Sequence, residues 1–248
     1  ASVVDAPDET APDAAADAPA DVAQRPANAI RIMAANITSG SNQAYEDPGI
    51  RIFQGLAPDV VLIQEFNYKQ GTLRDLVDDA FGTKYSFYVE PTGNIPNGIV
   101  SRFPILDSGT WVDPSTTDRG CAGAYIDLPG ATELFAVSLH LLTTGATERD
   151  AEAQAVVSYV QANAPQGAYL AIGGDFNTDT TTEPALADLA SVVVVSAPFP
   201  ADQAGNTNTS TNRNRPHDWV LASPSLDAQK VTVWVGSSLY PSGLVFDS

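Results

Sequence analysis

Short apolar runs with a polar residue at one end are the feature that most constrains the fold of this chain. Runs of about five residues are typical of buried β-strands. In sheets that are covered on both faces, functional residues lie at the strand ends. The pattern therefore predicts one pocket at which these polar residues meet. The polar residues are Asn36, Glu65, His140, Asp175 with Asn177, and Asp218, beside the runs Ile30–Ala35, Val60–Gln64, Leu134–Leu139, Ala168–Ile172 and Trp219–Leu221.

The sequence Gly-Gly-Asp-Phe-Asn at Gly173–Asn177 places two of these polar residues in one turn. An ionised Asp only accepts hydrogen bonds, whereas an Asn side chain both accepts and donates them. Asp175 and Asn177 therefore suit a hard cation or a water molecule, and Asn177 can also donate to a phosphate oxygen. The alternative is an Asx turn that uses these side chains on its own backbone, which would explain the motif if it stood alone.

Six segments form a series between residues 30 and 221: Ile-Arg-Ile-Met-Ala-Ala-Asn (30–36), Pro-Asp-Val-Val-Leu-Ile-Gln-Glu (58–65), Gly-Ile-Val-Ser-Arg-Phe-Pro-Ile (98–105), Val-Ser-Leu-His-Leu (137–141), Gly-Gly-Asp-Phe-Asn-Thr (173–178) and Arg-Pro-His-Asp-Trp-Val-Leu (215–221). In kind and order the series resembles the endonuclease/exonuclease/phosphatase superfamily, whose best-known members are deoxyribonuclease I and the apurinic endonucleases. The resemblance implies a four-layered α/β sandwich, in which two packed mixed β-sheets are flanked by helices.

The same resemblance implies a role for each strand-end residue. Glu65 is similar to the family's principal metal ligand, and Asn36 would bind the same cation. His140 resembles the histidine that hydrogen-bonds the scissile phosphate. The cation that this implies is Mg²⁺, although Mn²⁺ and Ca²⁺ also suit oxygen-rich sites.

Four further residues complete the implied active site. Asp175 and Asn177 resemble the pair that orients the attacking water and contacts the phosphate. Asp218 is similar to the aspartate that supports this cluster. Arg119, which precedes another apolar stretch, resembles a phosphate-facing arginine.

One part of the family pattern does not occur in this sequence, namely the closing Ser-Asp-His followed by an apolar strand. The two histidines are His140 and His217, and both lie inside segments already assigned. We expect the native protein to continue beyond Ser248 and supply the last strand and its base, or a C-terminal fragment to complete the fold. A catalytically inactive protein is the alternative, but an inactive protein would be expected to lose its mutually repelling carboxylates. In an extended strand, His217 should point away from the face of Asp218.

The periodicity predicts many strands with a few helices between them. The predicted helices are Pro48–Leu56, Leu73–Ala80 and Glu148–Ala162, the last with Ala151, Ala155, Val156, Tyr159 and Val160 on its apolar face. Thr147 is the predicted start of the third helix. The predicted strands are Ile30–Ala35, Val60–Gln64, Lys84–Val89, Gly98–Ser101, Leu106–Val112, Cys121–Leu128, Leu134–Leu139, Ala168–Ile172, Val192–Val195, Trp219–Ala222 and Val231–Val235.

The N-terminal segment differs in composition from the rest of the chain. Residues 1–28 are acidic and rich in Ala and Pro, which predicts a disordered linker before a catalytic domain over 29–248. The chain does not begin with Met, which is consistent with removal of an export leader. The lone Cys121 excludes an internal disulfide and, with export, favours a bacterial source. No apolar segment approaches the length of a membrane span.

The net charge of −18 with only 12 Lys and Arg argues against a stable nucleic-acid complex, because such binding needs a basic face. Arg213 and Arg215 lie in a polar loop that either borders the pocket or serves turn chemistry. We therefore expect a metal-dependent phosphodiesterase or nuclease that acts on a phosphoester, with DNA and RNA as candidates. The alternatives are a phosphomonoesterase, a phospholipid or sphingolipid headgroup hydrolase, and an inactive binding module.

Overall fold

The first of two β-sheets carries one half of the strand ends predicted to meet. The computed structural model describes residues 25–26, 28–37, 46–91 and 93–246. Within these residues the first sheet has the strand order β1-β2-β4-β3, and β1 runs parallel to β2. Its strands are β1 (Ile32–Asn36), β2 (Val60–Gln64), β3 (Ser86–Val89) and β4 (Gly98–Ser101).

The second sheet has five strands in the order of the chain. Its strands are β5 (Ile105–Val112), β6 (Gly120–Ile126), β7 (Leu134–His140), β8 (Tyr169–Asp175) and β9 (Asp218–Ala222). Strands β7 and β8 are parallel and the other neighbours are antiparallel, so the sheet is mixed. A separate hairpin is formed by β10 (Val233–Val235) and β11 (Ser238–Tyr240).

Helices cover the outer face of each sheet. They are α1 (Glu46–Leu56), α2 (Leu73–Phe81), α3 (Ala146–Asn163) and α4 (Pro184–Leu189). A short helix, α5 (Pro224–Asp227), contacts β8 and β9, and its Leu226 packs against the apolar residues between the sheets. One apolar cluster lies between the first sheet and α1 with α2, and another between the second sheet and α3 with α4. A third cluster, with Leu62 of β2 and Ala136 of β7, fills the space between the sheets. The predicted four-layered α/β sandwich is therefore confirmed.

Burial explains why the apolar runs form strands without alternation. All five residues of β2 and all seven of β7 are buried, as expected for strands covered on both faces. Small residues such as Ala122, Ala124 and Ala171 in the second sheet let the two sheets approach each other.

Gly173 and Gly174 continue β8 up to Asp175, beyond the predicted end at Ile172. A Cβ atom on Gly173 would lie 2.8 Å from Cδ1 of Leu62, and one on Gly174 would lie 2.6 Å from Nε2 of Gln64. Gly174 also has φ +140, a conformation that side chains disfavour. The paired glycines are thus required where the two sheets come closest to the predicted pocket.

The structure corrects the prediction for one segment and the details of one helix. Residues Val192–Val195 form turns and irregular backbone instead of a strand, because Val193 packs as loop into the core beside α4. Helix α3 begins at Ala146, two residues before the predicted first residue Glu148, so Gly145 takes the capping position predicted for Thr147. On α3, Ala153 is buried whereas Ala151 is exposed, so the buried face is rotated and includes two charged residues.

The predicted linker over 1–28 lies outside the described residues as far as residue 24. Arg25 forms an ion pair with the buried Asp59, with 2.7 Å between Nη1 and Oδ2. In the part of the chain that the structure describes, no helix has the length and apolar character needed to cross a membrane.

Candidate active site

Three predicted residues lie side by side at one edge of the second sheet. His140 is the register partner of Asp175, and Asp175 is the register partner of Asp218. The parallel pairing of β7 with β8 brings their carboxyl ends together, and antiparallel β9 begins at the same edge. His140 Nε2 is 3.7 Å from Asp175 Oδ2.

The first sheet contributes two residues from its facing edge. Asn36 is the last residue of β1, and Glu65 directly follows β2. The two residues lie close together because these strands are parallel and in register. The Asn36 Nδ2 atom is 3.3 Å from Glu65 Oε1 and 3.1 Å from Asp175 Oδ2. Carboxylates from two different sheets therefore converge on one amide group.

The turn after β8 places Asp175 and Asn177 and uses part of their side chains locally. Asp175 Oδ1 accepts a hydrogen bond from the Asn177 N–H at 3.0 Å, so the Asx turn does form. Asp175 Oδ2 is directed instead towards Asn36 and His140. Asn177 Nδ2 donates to the Leu141 carbonyl at 2.9 Å, which ties the turn to the end of β7. The turn and the pocket are thus both present.

Two of the four non-glycine residues with positive φ in the described part of the chain lie at this edge. Glu65 has φ +56 and Asn177 has φ +51, and both are non-glycine residues in the left-handed region. Such conformations cost about 1 kcal/mol or more each and cluster at functional sites. They turn the chain sharply at the ends of β2 and β8, where the predicted chemistry lies.

Burial and mutual repulsion set the protonation states. Burial lowers the pKa of His140 to about 4, although the Asp175 carboxylate acts in the opposite direction. The imidazole is therefore neutral at neutral pH. Burial raises the pKa of Asp218 to about 7, and Asp175 adds to the rise, whereas a hydrogen bond with Thr209 opposes it.

Arg119 lies behind the end of β7. Its Nε donates to the His140 carbonyl at 2.6 Å, and its Nη2 donates to the Leu141 carbonyl at 3.3 Å. Nη1 is 3.5 Å from Oδ1 of Asp118. These contacts support the strand that carries His140, while the phosphate-facing role implied by the family resemblance stays a prediction.

A cleft of about 1190 Å³ opens beside the strand ends. Asn36, Asp175 and Asp218 line it together with apolar residues of β1 and β9. His217 also lines this cleft, as do all residues of β9. That His217 points away from the face of Asp218 stays a prediction.

The basic loop that the sequence placed near the pocket is held by acidic partners. Arg213 also borders the cleft and forms an ion pair with Asp202 at 2.5 Å. Arg215 forms an ion pair with Asp179 at 2.6 Å. The Arg213 pair is largely buried and holds the loop beside the cleft, whereas the Arg215 pair is about half exposed and contributes little.

The oxygen ligands at the site suit a hard cation, although the carboxylates alone do not form a complete set of metal ligands. Among the described residues no group of three or more His, Cys, Asp and Glu side chains is arranged to hold a metal ion. The converging groups are two carboxylates and an amide, those of Glu65, Asp175 and Asn36. Oxygen donors of this kind, completed by water, are what Mg²⁺ takes in proteins.

Sequence reasoning missed the polar contacts beneath the site. Gln64 Nε2 donates to Ser138 Oγ at 2.9 Å, and Ser138 Oγ donates to the Ile63 carbonyl at 3.1 Å. These buried bonds join the two sheets directly below the strand ends. Polar residues inside the otherwise apolar runs of β2 and β7 were the available signal.

The family model described as the Endonuclease/Exonuclease/phosphatase family matches residues 20–240. The chain belongs to this family. Members of the endonuclease/exonuclease/phosphatase family hydrolyse phosphoesters and generally use divalent metals. No significant match is found among curated proteins.

Solved structures of the endonuclease/exonuclease/phosphatase family share this fold. Sphingomyelinase C from Streptomyces griseocarneus has a TM-score of 0.56 at 17% identity, over 78% of this chain and 82% of that chain. An endonuclease/exonuclease/phosphatase from Beutenbergia cavernae DSM 12333 has a TM-score of 0.60 at 17% identity, over 79% and 64%. A mannosyl-6-phosphatase from Bacteroides thetaiotaomicron VPI-5482 has a TM-score of 0.58 at 17% identity, over 79% and 85%. At these identities the likeness concerns the fold.

Proposed function

We propose that the protein is a divalent-metal-dependent phosphodiesterase that cleaves its substrate by in-line attack of water. The observation that carries the proposal is the convergence of Glu65 and Asp175, from different sheets, on the amide of Asn36. His140 and Asp218 flank Asp175 in the same register row. Family membership supports the reaction class.

Glu65 and Asn36 would hold the cation, through a carboxylate oxygen and the amide oxygen. The Asn36 amide would turn for this, because its nitrogen faces Glu65 and Asp175 in this structure. When bound, a divalent cation polarises a phosphate oxygen and stabilises the leaving group. The positive φ of Glu65 directs the chain end of β2 towards this position. The carboxylates of Glu65 and Asp175 would otherwise repel each other across the amide.

His140 acts as a neutral hydrogen-bond donor to the phosphate. Its pKa of about 4 means that a protonated imidazole contributes little at neutral pH. In the described part of the protein, its Nδ1 is buried without a hydrogen-bond partner. The Nε2 atom faces Asp175 at the site. A fixed donor of this kind stabilises charge that develops on the phosphorus oxygens.

Asp175 orients the attacking water and accepts its proton through Oδ2. Asp218, with a pKa of about 7, can exchange that proton near neutral pH. Asn177 stabilises the same phosphate, and its own position is held by Leu141. In this proposal Asp175, or the base expected from a completing segment, takes the proton, and His140 and Asn177 stabilise the charge on the phosphate.

The open edge of β1 supports the expectation of a completing strand. Among the described residues β1 pairs with β2 alone, and its other side borders the cleft. Sheet edges of this kind accept a further strand, and we propose that a later segment of the protein fills it. Intact-mass measurement with activity tests this idea, since full activity at a mass of 248 residues would contradict it.

A small phosphodiester is the preferred substrate class over a tightly bound nucleic acid. The net charge of −18 disfavours a long polyanion, and the arginines beside the cleft are paired with acids. The runner-up is a phosphomonoester or lipid headgroup, since solved relatives include a sphingomyelinase and a mannosyl-6-phosphatase.

The test compares hydrolysis of bis-p-nitrophenyl phosphate, p-nitrophenyl phosphate and sphingomyelin with plasmid nicking, each with Mg²⁺ and with EDTA. Glu65→Ala, His140→Ala and Asp175→Ala should each lower the rate about 100-fold or more, because they remove a metal ligand, a phosphate donor and the group that orients the water, respectively. Asp79→Ala, at an exposed acid of α2, is the matched control and should retain wild-type activity. Wild-type rates in all three site variants, or full activity in EDTA, would contradict the proposal.

A further inference from the structure

The residue two positions after His140 is bound at both of its backbone groups by one helix. The Leu142 N–H donates to Glu152 Oε2 at 2.9 Å. The Leu142 carbonyl accepts from Arg149 Nη1 at 3.2 Å. We call this pair of bonds, from Arg149 and Glu152 to Leu142, the Leu142 clamp.

The two side chains of the clamp are unusual for a helix surface. Arg149 and Glu152 are three residues apart on α3, so they lie on one face. Each is only 1% exposed, and charged residues are almost never buried this deeply unless they are paired. Apolar residues would suffice if this face only packed against the sheet.

Arg149 also connects the clamp to the chain that follows the Asp175 turn. Its Nε and Nη2 atoms contact the two carboxylate oxygens of Glu183 at 2.8 and 2.7 Å. Glu183 Oε1 in turn accepts from the Asp179 N–H at 2.5 Å. The bidentate pair fixes the guanidinium in one orientation. The Arg149 side chain thus contacts both the end of β7 and the residues that hold the segment after Asn177.

From these contacts we propose that Arg149 and Glu152 are positioning residues for the phosphoester hydrolysis, and that they hold His140 in place through the backbone of Leu142. The inference rests on the proposed function for its catalytic consequence. Neither side chain touches the site, so both act through the strand end.

The opposite side of the strand end is held independently. Arg119 binds the carbonyls of His140 and Leu141, and the Leu141 N–H donates to the Asp175 carbonyl at 2.9 Å. With Leu142 released, the strand end would be held by Arg119, by Asn177 and by the pairing with β8, without the restraint from α3. A displacement of about 1 Å at a catalytic group can cost about 100-fold in rate.

The surroundings of Glu152 show which variant should preserve the clamp. Asp113, Arg119 and Cys121 face it from the strands packed against α3. Burial raises the pKa of Glu152 to about 8, the Asp113 carboxyl adds to the rise, and the Leu142 N–H and Arg119 oppose it. Glutamine resembles the protonated acid, since it can accept from Leu142 and donate to Asp113. Alanine loses both interactions.

The experiment observes the imidazole of His140 directly by NMR. The chain has two histidines, so the ring ¹H–¹⁵N spectrum is assigned with His217→Asn alone. Glu152→Ala and Arg149→Lys should shift the His140 resonances and lower kcat about 10-fold or more, with KM changed less than about 2-fold. Glu152→Gln should restore the wild-type spectrum and kcat. Gln154→Ala, on the exposed face of α3, is the matched control.

Arg149→Lys tests the clamp if Glu152→Ala does not fold, since lysine keeps the charge but cannot bind the Leu142 carbonyl and Glu183 at the same time. His140 resonances and kcat at wild-type values in the folded variants would overturn the clamp. An equal loss in Glu152→Gln and Glu152→Ala would also overturn it.

Failure of the clamp is distinguishable from failure of the proposed function. The proposed function fails if wild-type protein shows no metal-dependent hydrolysis or if Glu65→Ala leaves the rate unchanged. The His140 spectrum needs no turnover, so it reports the effect of the clamp in either case.

Discussion

Replacing Asp218 with Asn should stabilise the metal-free protein at alkaline pH while it lowers activity. The ordinary pKa of this carboxyl is 3.8, and burial with repulsion by Asp175 raises it to about 7 in the folded protein. Between these values the folded protein holds a proton that the unfolded chain has lost. Wild-type stability therefore falls as the pH rises from about 4 to about 7, and asparagine removes this loss.

The magnitude follows from the shift. Each pKa unit corresponds to about 1.4 kcal/mol, so a shift of about 3 units gives an upper value of about 4 kcal/mol. Asp218 is half-buried, and solvent screening on its open side lowers the expected effect to about 2 kcal/mol. The backbone bond from the Asp218 N–H to Thr209 Oγ1 is kept in the variant.

Urea unfolding in EDTA at about pH 5 and about pH 8 measures the effect. The advantage of Asp218→Asn over the wild type should grow by about 1 to 3 kcal/mol between these two conditions. Asp79→Asn, at an exposed acid, is the control and should show no such growth. An Asp218→Asn advantage that is constant across pH would refute the reasoning about burial and repulsion.

Two further predictions concern the framework of the site. Gly174→Ala should destabilise the fold by about 3 kcal/mol or more in thermal unfolding, because its Cβ would overlap the Leu139 carbonyl. Gly55→Ala is the control: a Cβ at this position of α1 meets open space, so the variant should be neutral or stabilising. Arg149→Met should lower the free energy of unfolding by about 3 to 5 kcal/mol, because it leaves Glu183 buried without its cationic partner. The double variant Arg149→Met with Glu183→Gln should recover most of this stability in urea unfolding. Equal stability of the single and double variants would contradict the second prediction.

The strand-end pattern was sufficient to predict that these side chains meet, because it depends only on local periodicity. Glu65, His140 and Asp175 each end an apolar run, and the structure places all three at one edge. Family resemblance supplied the layer order, which periodicity alone does not. The proposed roles of these residues stay predictions until activity is measured.

What could not be predicted depends on long-range packing. Val192–Val195 has the composition of a strand but packs as a loop in which Val193 is buried, since burial of apolar residues is favourable in any backbone conformation. The bond from Gln64 to Ser138 requires knowledge of which sheet faces meet. Arg149 and Glu152 look like an exposed helix face, and only the position of Leu142 shows why they are buried.

Calorimetric titration of Mn²⁺ into metal-free protein is the most direct test of the central claim, that Glu65 and Asn36 of the first sheet hold a divalent ion beside Asp175 of the second sheet. The account predicts a single binding site in the wild type, loss of binding in Glu65→Gln and weaker binding in Asp175→Asn. Wild-type Mn²⁺ affinity in both variants would contradict it.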